Sequence, residues 1–125
     1  LYTESDVIEA AKALTGWRID EDTLTAYLKS DEHDMSTKRF SAFYHNTTIS
    51  GSANGSQEVG ELIDMIFSTT ESARFICRKL YKWFVYYDID DFAESNVIAP
   101  LAEILRQHDF QVSAALDAGM KQAAE

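Results

Sequence analysis

His33-Asp34, with Lys38 four residues beyond Asp34, is the polar grouping in this chain best suited to chemistry. A histidine beside a carboxylate can move a proton or hold a divalent cation, and a lysine can hold an anion. A metal would need further ligands, and the nearby candidates are Asp20, Asp22, Asp31 and His45. The same residues also suit a turn, in which Asp34 caps the bend and pairs with Lys38. The turn is the stronger reading. Catalysis or ligation by His33, Asp34 and Lys38 is the alternative.

A second grouping is cationic. Arg74, Arg78 and Lys82 stand at i, i+4, i+8 and form one stripe on a predicted helix, with Lys79 adjacent. An anion or an acidic polymer could bind there. The chain carries 11 basic against 21 acidic residues, a net charge of −10, so pairing with its own carboxylates is the stronger reading. Asp88, Asp90, Asp91 and Glu94 suggest calcium, but the EF-hand loop needs Gly at its sixth position and Glu at its twelfth. Counting from Asp88, those positions hold Ala93 and Ala99, so helix capping fits better. Trp17, Arg18, Tyr27, Tyr86 and Tyr87 could build a sugar platform, yet an aromatic run at helical spacing reads first as core.

Other chemistries are excluded by missing residues. There is no Gly-rich phosphate loop, no Gly-x-Ser-x-Gly elbow and no His-Glu-x-x-His helix. The single Cys77 rules out an internal disulfide and any multi-cysteine zinc site, and no cofactor or metal is called for. The acidic balance opposes nucleic acid and anionic membrane surfaces. No run of about 18 apolar residues is present, so no membrane insertion is expected.

These residues must be held by elements that the periodicity outlines. Thr3 caps a first helix from Glu4 to about Thr15, with Asp6 in the acidic position of a capping box and Gly16 at the end. From Arg18 to Gly55 the pattern turns polar. Leu24, Ala26 and Leu28 alternate with polar neighbours as a strand does, and Arg39–Tyr44 and Thr47–Ile49 supply further short strands. Ser56 caps a second helix with Val59, Leu62, Ile63, Ile66 and Phe67 on one face. The stretch Glu71–Phe92 is the densest in aromatics, and a central helix runs through it to about Tyr87. Ile76, Leu80, Trp83, Phe84 and Tyr87 define its packing face. A further helix ends near His108 and carries Pro100, which forces a restart near Asn96 or a kink. A last, weakly apolar helix spans Val112 to Ala124.

The fold expected is mainly α: an orthogonal or irregular bundle of four or five helices, with a small β-hairpin excursion between the first and second. The layout is one helical domain over 1–125, divided into a helix (1–16), a loop with a hairpin (17–55) and a bundle (56–125). The chain begins at Leu1 without Met and reads as a portion of a longer protein.

Three ordered stretches resemble one family. Tyr2–Trp17, YTESDVIEAAKALTGW, is similar to its signature helix; His33-Asp34 followed by Lys38 is similar to its His-Asp…Lys loop; Arg74–Val85, RFICRKLYKWFV, is similar to its aromatic helix. The family is the bacterial domain of unknown function 1800, and the resemblance extends from about Tyr2 to Val112. After Ala115 the sequence departs from the family pattern, which continues toward a Ser-Glu-His-Phe-like end. The resemblance implies a C-terminal-half portion of a longer bacterial protein, commonly exported, and so a periplasmic or cell-envelope location. It carries no established activity.

The leading functional expectation is a non-catalytic binding or assembly module of a larger exported bacterial protein. Its expected partners are the remainder of its own longer chain, another protein or a glycan. The alternative is a hydrolase acting on envelope polymers through His33, Asp34 and Lys38. The motifs leave open whether the chain is an enzyme and what its oligomeric state is.

Overall fold

A computed structural model of the protein describes residues 1–124. Glu125, the last residue of the expected bundle, lies outside the described residues. The architecture is mainly α, with two small antiparallel strand pairs between the first and second helices. Contacts divide the chain into two compact units, Leu1–Ile66 and a second beginning at Phe67.

The first unit opens with α1 (Glu4–Ala13). Thr3 caps it as expected: its hydroxyl accepts from the Asp6 N–H, while the Asp6 carboxylate accepts from the Thr3 N–H at 2.7 Å. Asp serves here where Glu or Gln is usual. The chain then turns at Gly16 into β1 (Trp17–Asp20), which pairs with β2 (Thr25–Leu28) in the register Trp17 to Leu28. The sequence pattern does not predict β1. Trp17 and Ile19 lie on one face of a strand too short for alternation to announce it. The second pair joins β3 (Lys38–Arg39) to β4 (Thr48–Ile49), and a 3₁₀ turn at Ala42–Tyr44 occupies part of the expected third strand. Helix α2 (Gly55–Ser68) begins one residue before the expected cap, Ser56. Ala13, Phe40, Ile49, Leu62 and Met65 form this unit's core, with Ala10 and Tyr44 packed on it.

Gly16 is a position that only glycine fills comfortably. Its φ is +79°, and a Cβ there would stand 2.7 Å from the Lys29 carbonyl oxygen and 3.0 Å from the His33 nitrogen. Gly16→Ala is therefore expected to cost at least about 1–2 kcal/mol from the left-handed backbone alone. The urea midpoint of the purified variant checks this, and an unchanged midpoint would refute it.

The second unit contains α3 (Thr70–Phe84), α4 (Asp91–Ala93), a π-helical turn (Glu94–Ile98), α5 (Ala99–Gln107) and α6 (Val112–Ala124). Asp90 caps α4 by accepting from the Ala93 N–H at 2.7 Å. From Asp91 to Gln107 the chain neither restarts nor breaks. Pro100 cannot donate to the carbonyl four residues earlier, and the π turn absorbs the mismatch by passing the Ala99 N–H to the Glu94 carbonyl. Ala73, Cys77, Ile98, Ala102, Leu105 and Ala115 make the core. Burial raises the Cys77 thiol to about 11, so it behaves as a small apolar filler.

The packing face of α3 differs from the expectation. Its buried stripe is Ala73 and Cys77, with Ile76 and Tyr81 packed alongside. Trp83 is 83% exposed and Tyr87 75%, although helical spacing predicts both in the core. Small residues at Ala73 and Cys77 allow the close approach of α5, and the large aromatics at the end of α3 lie outside that contact.

Candidate functional site

The elements bring His33 and Lys38 together, but on a residue that the periodicity hides. Lys38 sits on β3 and His33 follows a 3₁₀ turn at Ser30–Glu32. Glu58, on the first turn of α2, lies between them. The Lys38 Nζ donates to Glu58 Oε2 at 2.6 Å, and His33 Nε2 stands 3.1 Å from Glu58 Oε1. Glu58 Oε1 also accepts from the Ser52 N–H at 2.6 Å. The Lys38 ammonium donates to the Asp34 carbonyl as well, with the Asp34 carboxylate 3.9 Å away. The side chains of His33 and Lys38 are 0% exposed, and Glu58 is 1%.

Geometry favours the protonated form of His33. Its Nδ1 lies 2.8 Å from the Thr15 carbonyl oxygen, which can only accept, and its Nε2 faces a carboxylate. Both nitrogens face acceptors, an arrangement that favours the imidazolium over the neutral ring. The Thr15 carbonyl and then Glu58 raise its pKa above the usual histidine value, against burial and the Lys38 charge. Burial pushes the Glu58 carboxyl upward, but Lys38, the Ser52 N–H and His33 outweigh it and hold the pKa below the usual range. Two cations thus share one buried carboxylate, which also accepts from a backbone N–H.

Asp34 has a different task. Its N–H donates to the Thr15 hydroxyl at 2.7 Å and its carboxylate accepts from the Ser36 N–H at 2.8 Å. That is a turn of the kind the sequence suggests. The additional ligand candidates do not join it. Asp20 closes its own turn by accepting from the Asp22 and Thr23 N–H groups at 3.0 Å, Asp31 is exposed, and His45 sits exposed at a left-handed corner. Among the described residues, no three histidine, cysteine or acidic side chains are grouped to hold a metal ion.

A second buried acid anchors α1. Asp6 is 3% exposed and accepts from both the N–H and hydroxyl of Thr3 and from both the N–H and hydroxyl of Ser41. Burial opposes its charge, yet these four donors together hold its pKa down to about 2. One turn on, Glu9 accepts from the Arg39 N–H at 3.0 Å. Asp6 and Glu9 of α1 thus bind the backbone at and just after β3. Helical spacing could have pointed to Asp6, because Asp6, Ala10 and Ala13 lie on one face.

In the second unit the cationic stripe is largely spent internally. Arg78 holds Glu94 with both Nε and Nη2, at 2.9 and 2.7 Å, and also reaches Glu71. Arg74 lies 4.0 Å from Glu94. Lys79 instead lies over the Phe75 ring, 5.4 Å from its centroid. Lys82 projects from the exposed face. Of the aromatic candidates, Trp17 is half-buried on β1 and Arg18 pairs with Glu32. Tyr86 and Tyr87 stand together, with ring centroids 4.5 Å apart.

The outer face of α3 and the turn after it are therefore the other notable feature. Phe75, Lys79, Lys82, Trp83 and Tyr86 recur at i, i+4, i+7, i+8, i+11, all exposed. Phe84, Val85, Tyr87 and Phe92 are exposed as well. No helix among the described residues is long and apolar enough to cross a membrane.

Neither a curated protein nor a solved structure matches this sequence. A family model described as a protein of unknown function, DUF1800, matches residues 1–124, and the chain belongs to that family.

Proposed function

We propose that this chain is a non-catalytic binding or assembly module of a larger exported bacterial protein. One observation carries the reading: the exposure of the large aromatics Trp83, Phe84, Tyr86, Tyr87 and Phe92. Large apolar side chains are costly to leave in water, and surfaces rich in them mark interaction sites. Aromatic side chains also dominate the energetics of interfaces. The remainder of a longer chain, another protein or a glycan would each meet a surface of this chemistry.

The hydrolase alternative draws less support. His33 and Lys38 are enclosed and engaged with Glu58, so a substrate has no path to either side chain without displacing the loops around them. An acid–base residue must come within hydrogen-bond reach of the proton it moves.

The test uses Trp83 as its own reporter. Soluble oligosaccharides of envelope type are titrated while tryptophan emission is followed, and self-association is measured by sedimentation. Binding seen by calorimetry as well as by emission, or association seen by sedimentation, is the expected outcome, and the calorimetric or sedimentation signal should disappear in Trp83→Ala. The reading fails if these aromatics engage nothing and the chain instead hydrolyses envelope polymers in a manner lost in His33→Ala.

A further inference from the structure

We infer that the first unit binds a small quaternary ammonium group, of the kind choline carries, in the cavity between α1, the turn after β3 and α2. The site does not rest on the exposed aromatics of the second unit. The cavity measures about 240 Å³. Pockets for drug-sized molecules run to roughly 300–1,000 Å³, so a compact group suits this one. Its walls are mostly apolar. Leu62 and Met65 of α2 line it as buried residues, and Val7 of α1 is exposed at its edge. Three aromatic residues join them. Phe40 and Tyr44 meet edge to face, with ring centroids 5.9 Å apart and planes at 81°, and Tyr2 completes the lining.

What selects the ligand is a charge without a counter-ion. Asp6, itself buried, also lines the cavity. Its Oδ2 accepts from the Thr3 N–H, the Thr3 hydroxyl and the Ser41 hydroxyl, and its Oδ1 accepts from the Ser41 N–H. All four donors are neutral. Among the described residues, no lysine, arginine or histidine pairs with this carboxylate. Its hydrogen-bonding capacity is thus largely used, while its charge is not balanced. A primary ammonium has three donors to satisfy, and the acceptor nearest to it is already engaged. A quaternary ammonium brings the same charge, has no N–H to satisfy and presents methyl groups to apolar walls. Aromatic rings attract such a cation, most strongly where water is excluded. The Tyr44 phenol senses the same water-poor space: burial, and then the Asp6 charge, raise its pKa. The net charge of −10 draws cations toward the chain, whereas Asp6 would repel an anionic ligand.

The experiment is an NMR titration of the chain with choline chloride against a sodium chloride control, following the Phe40 ring and the Ser41 amide. A second titration uses the neutral analogue of choline in which carbon replaces nitrogen. Choline is expected to bind with a Kd at or below roughly 1 mM, and the neutral analogue at least about tenfold more weakly. Tyr2→Leu and Tyr44→Leu keep an apolar wall and remove a ring. Each should weaken choline at least about threefold and leave the neutral analogue nearly unaffected, with circular dichroism unchanged. Should Tyr44→Leu fail to fold, Tyr2→Leu and the neutral analogue still decide the matter. Co-sedimentation with phosphatidylcholine vesicles separates the two sources of this group. Capture that free choline displaces assigns a lipid headgroup, and choline binding without capture assigns a free ligand. No shift with choline up to about 10 mM, equal affinity for the neutral analogue, or choline binding unchanged in Tyr2→Leu would each overturn the inference.

Discussion

Glu58→Ala is expected to remove about 3–5 kcal/mol of stability, the cost of leaving a buried ion pair with one member missing. Lys38 would be left fully enclosed without its buried counter-ion, with only the Asp34 carbonyl and a carboxylate 3.9 Å away as partners. His33 Nε2 and the Ser52 N–H would lose their acceptor in the same step. A domain is typically stable by about 5–15 kcal/mol in total, so this one change takes a large part of what holds the first unit. Lys38→Met should cost less, because Glu58 keeps the imidazolium and the Ser52 N–H. The double variant Lys38→Met/Glu58→Gln should be less damaged than the sum of its parts, with a coupling of about 1–3 kcal/mol. Urea unfolding followed by Trp17 fluorescence, in a Trp83→Phe background, reads the first unit alone. A loss below about 1 kcal/mol in Glu58→Ala would show that the carboxylate is not what secures Lys38.

What the sequence makes legible follows from what each kind of residue must satisfy. The capping box at Thr3 and Asp6 is local, closing within one turn, and it is read without knowledge of the rest of the fold. The mainly α character and the small β excursion are carried by periodicity and by turn composition, and both are present. His33 and Lys38 stand out as types. Their shared partner does not, because Glu58 lies 20 positions beyond Lys38 on a helix whose apolar residues suggest a neighbouring face. The buried stripe of α2 is Gly55, Glu58, Leu62 and Met65. A glutamate there passes for a solvated residue until its cations are placed in space. The converse error occurs on α3. Periodicity cannot tell an aromatic that packs inward from one left exposed: the small Ala73 and Cys77 are buried, while Trp83 and Phe84 near the helix end stay exposed. Both failures have one cause: long-range contacts decide which side of an amphipathic pattern is buried.

Stability of the first unit should peak between pH 4.5 and 6.5, bounded by three buried groups. Asp6 has its pKa lowered from 3.8 to about 2. Its contribution is therefore present above pH 3.8 and is lost as the pH falls toward 2. That loss is about 2 kcal/mol, because a tenfold change in proton affinity corresponds to roughly 1.4 kcal/mol. Glu58 acts in the same direction: its pKa lies below 4.5, so its stabilisation fails as acid protonates it and the cations lose their counter-charge. His33 works oppositely. Its pKa is raised above 6.5, so its contribution is complete below 6.5 and drains away as the pH rises through the folded value. Deprotonation there leaves the Nε2 lone pair facing Glu58 Oε1 at 3.1 Å, and the carboxylate repels it. The groups that face this histidine are Glu58 and Lys38, with Asp34 behind the lysine, and of these the histidine is the one whose charge the alkaline limb reports. Urea midpoints measured across the pH range should therefore fall on both sides. His33→Gln should flatten the alkaline limb and leave the acid limb in place, whereas Asp6→Asn should flatten the acid limb below pH 3.8. An alkaline limb identical in His33→Gln, or a His33 imidazole that titrates by NMR at or below 6.5, would mean that the ring is not held as the cation its two acceptors favour.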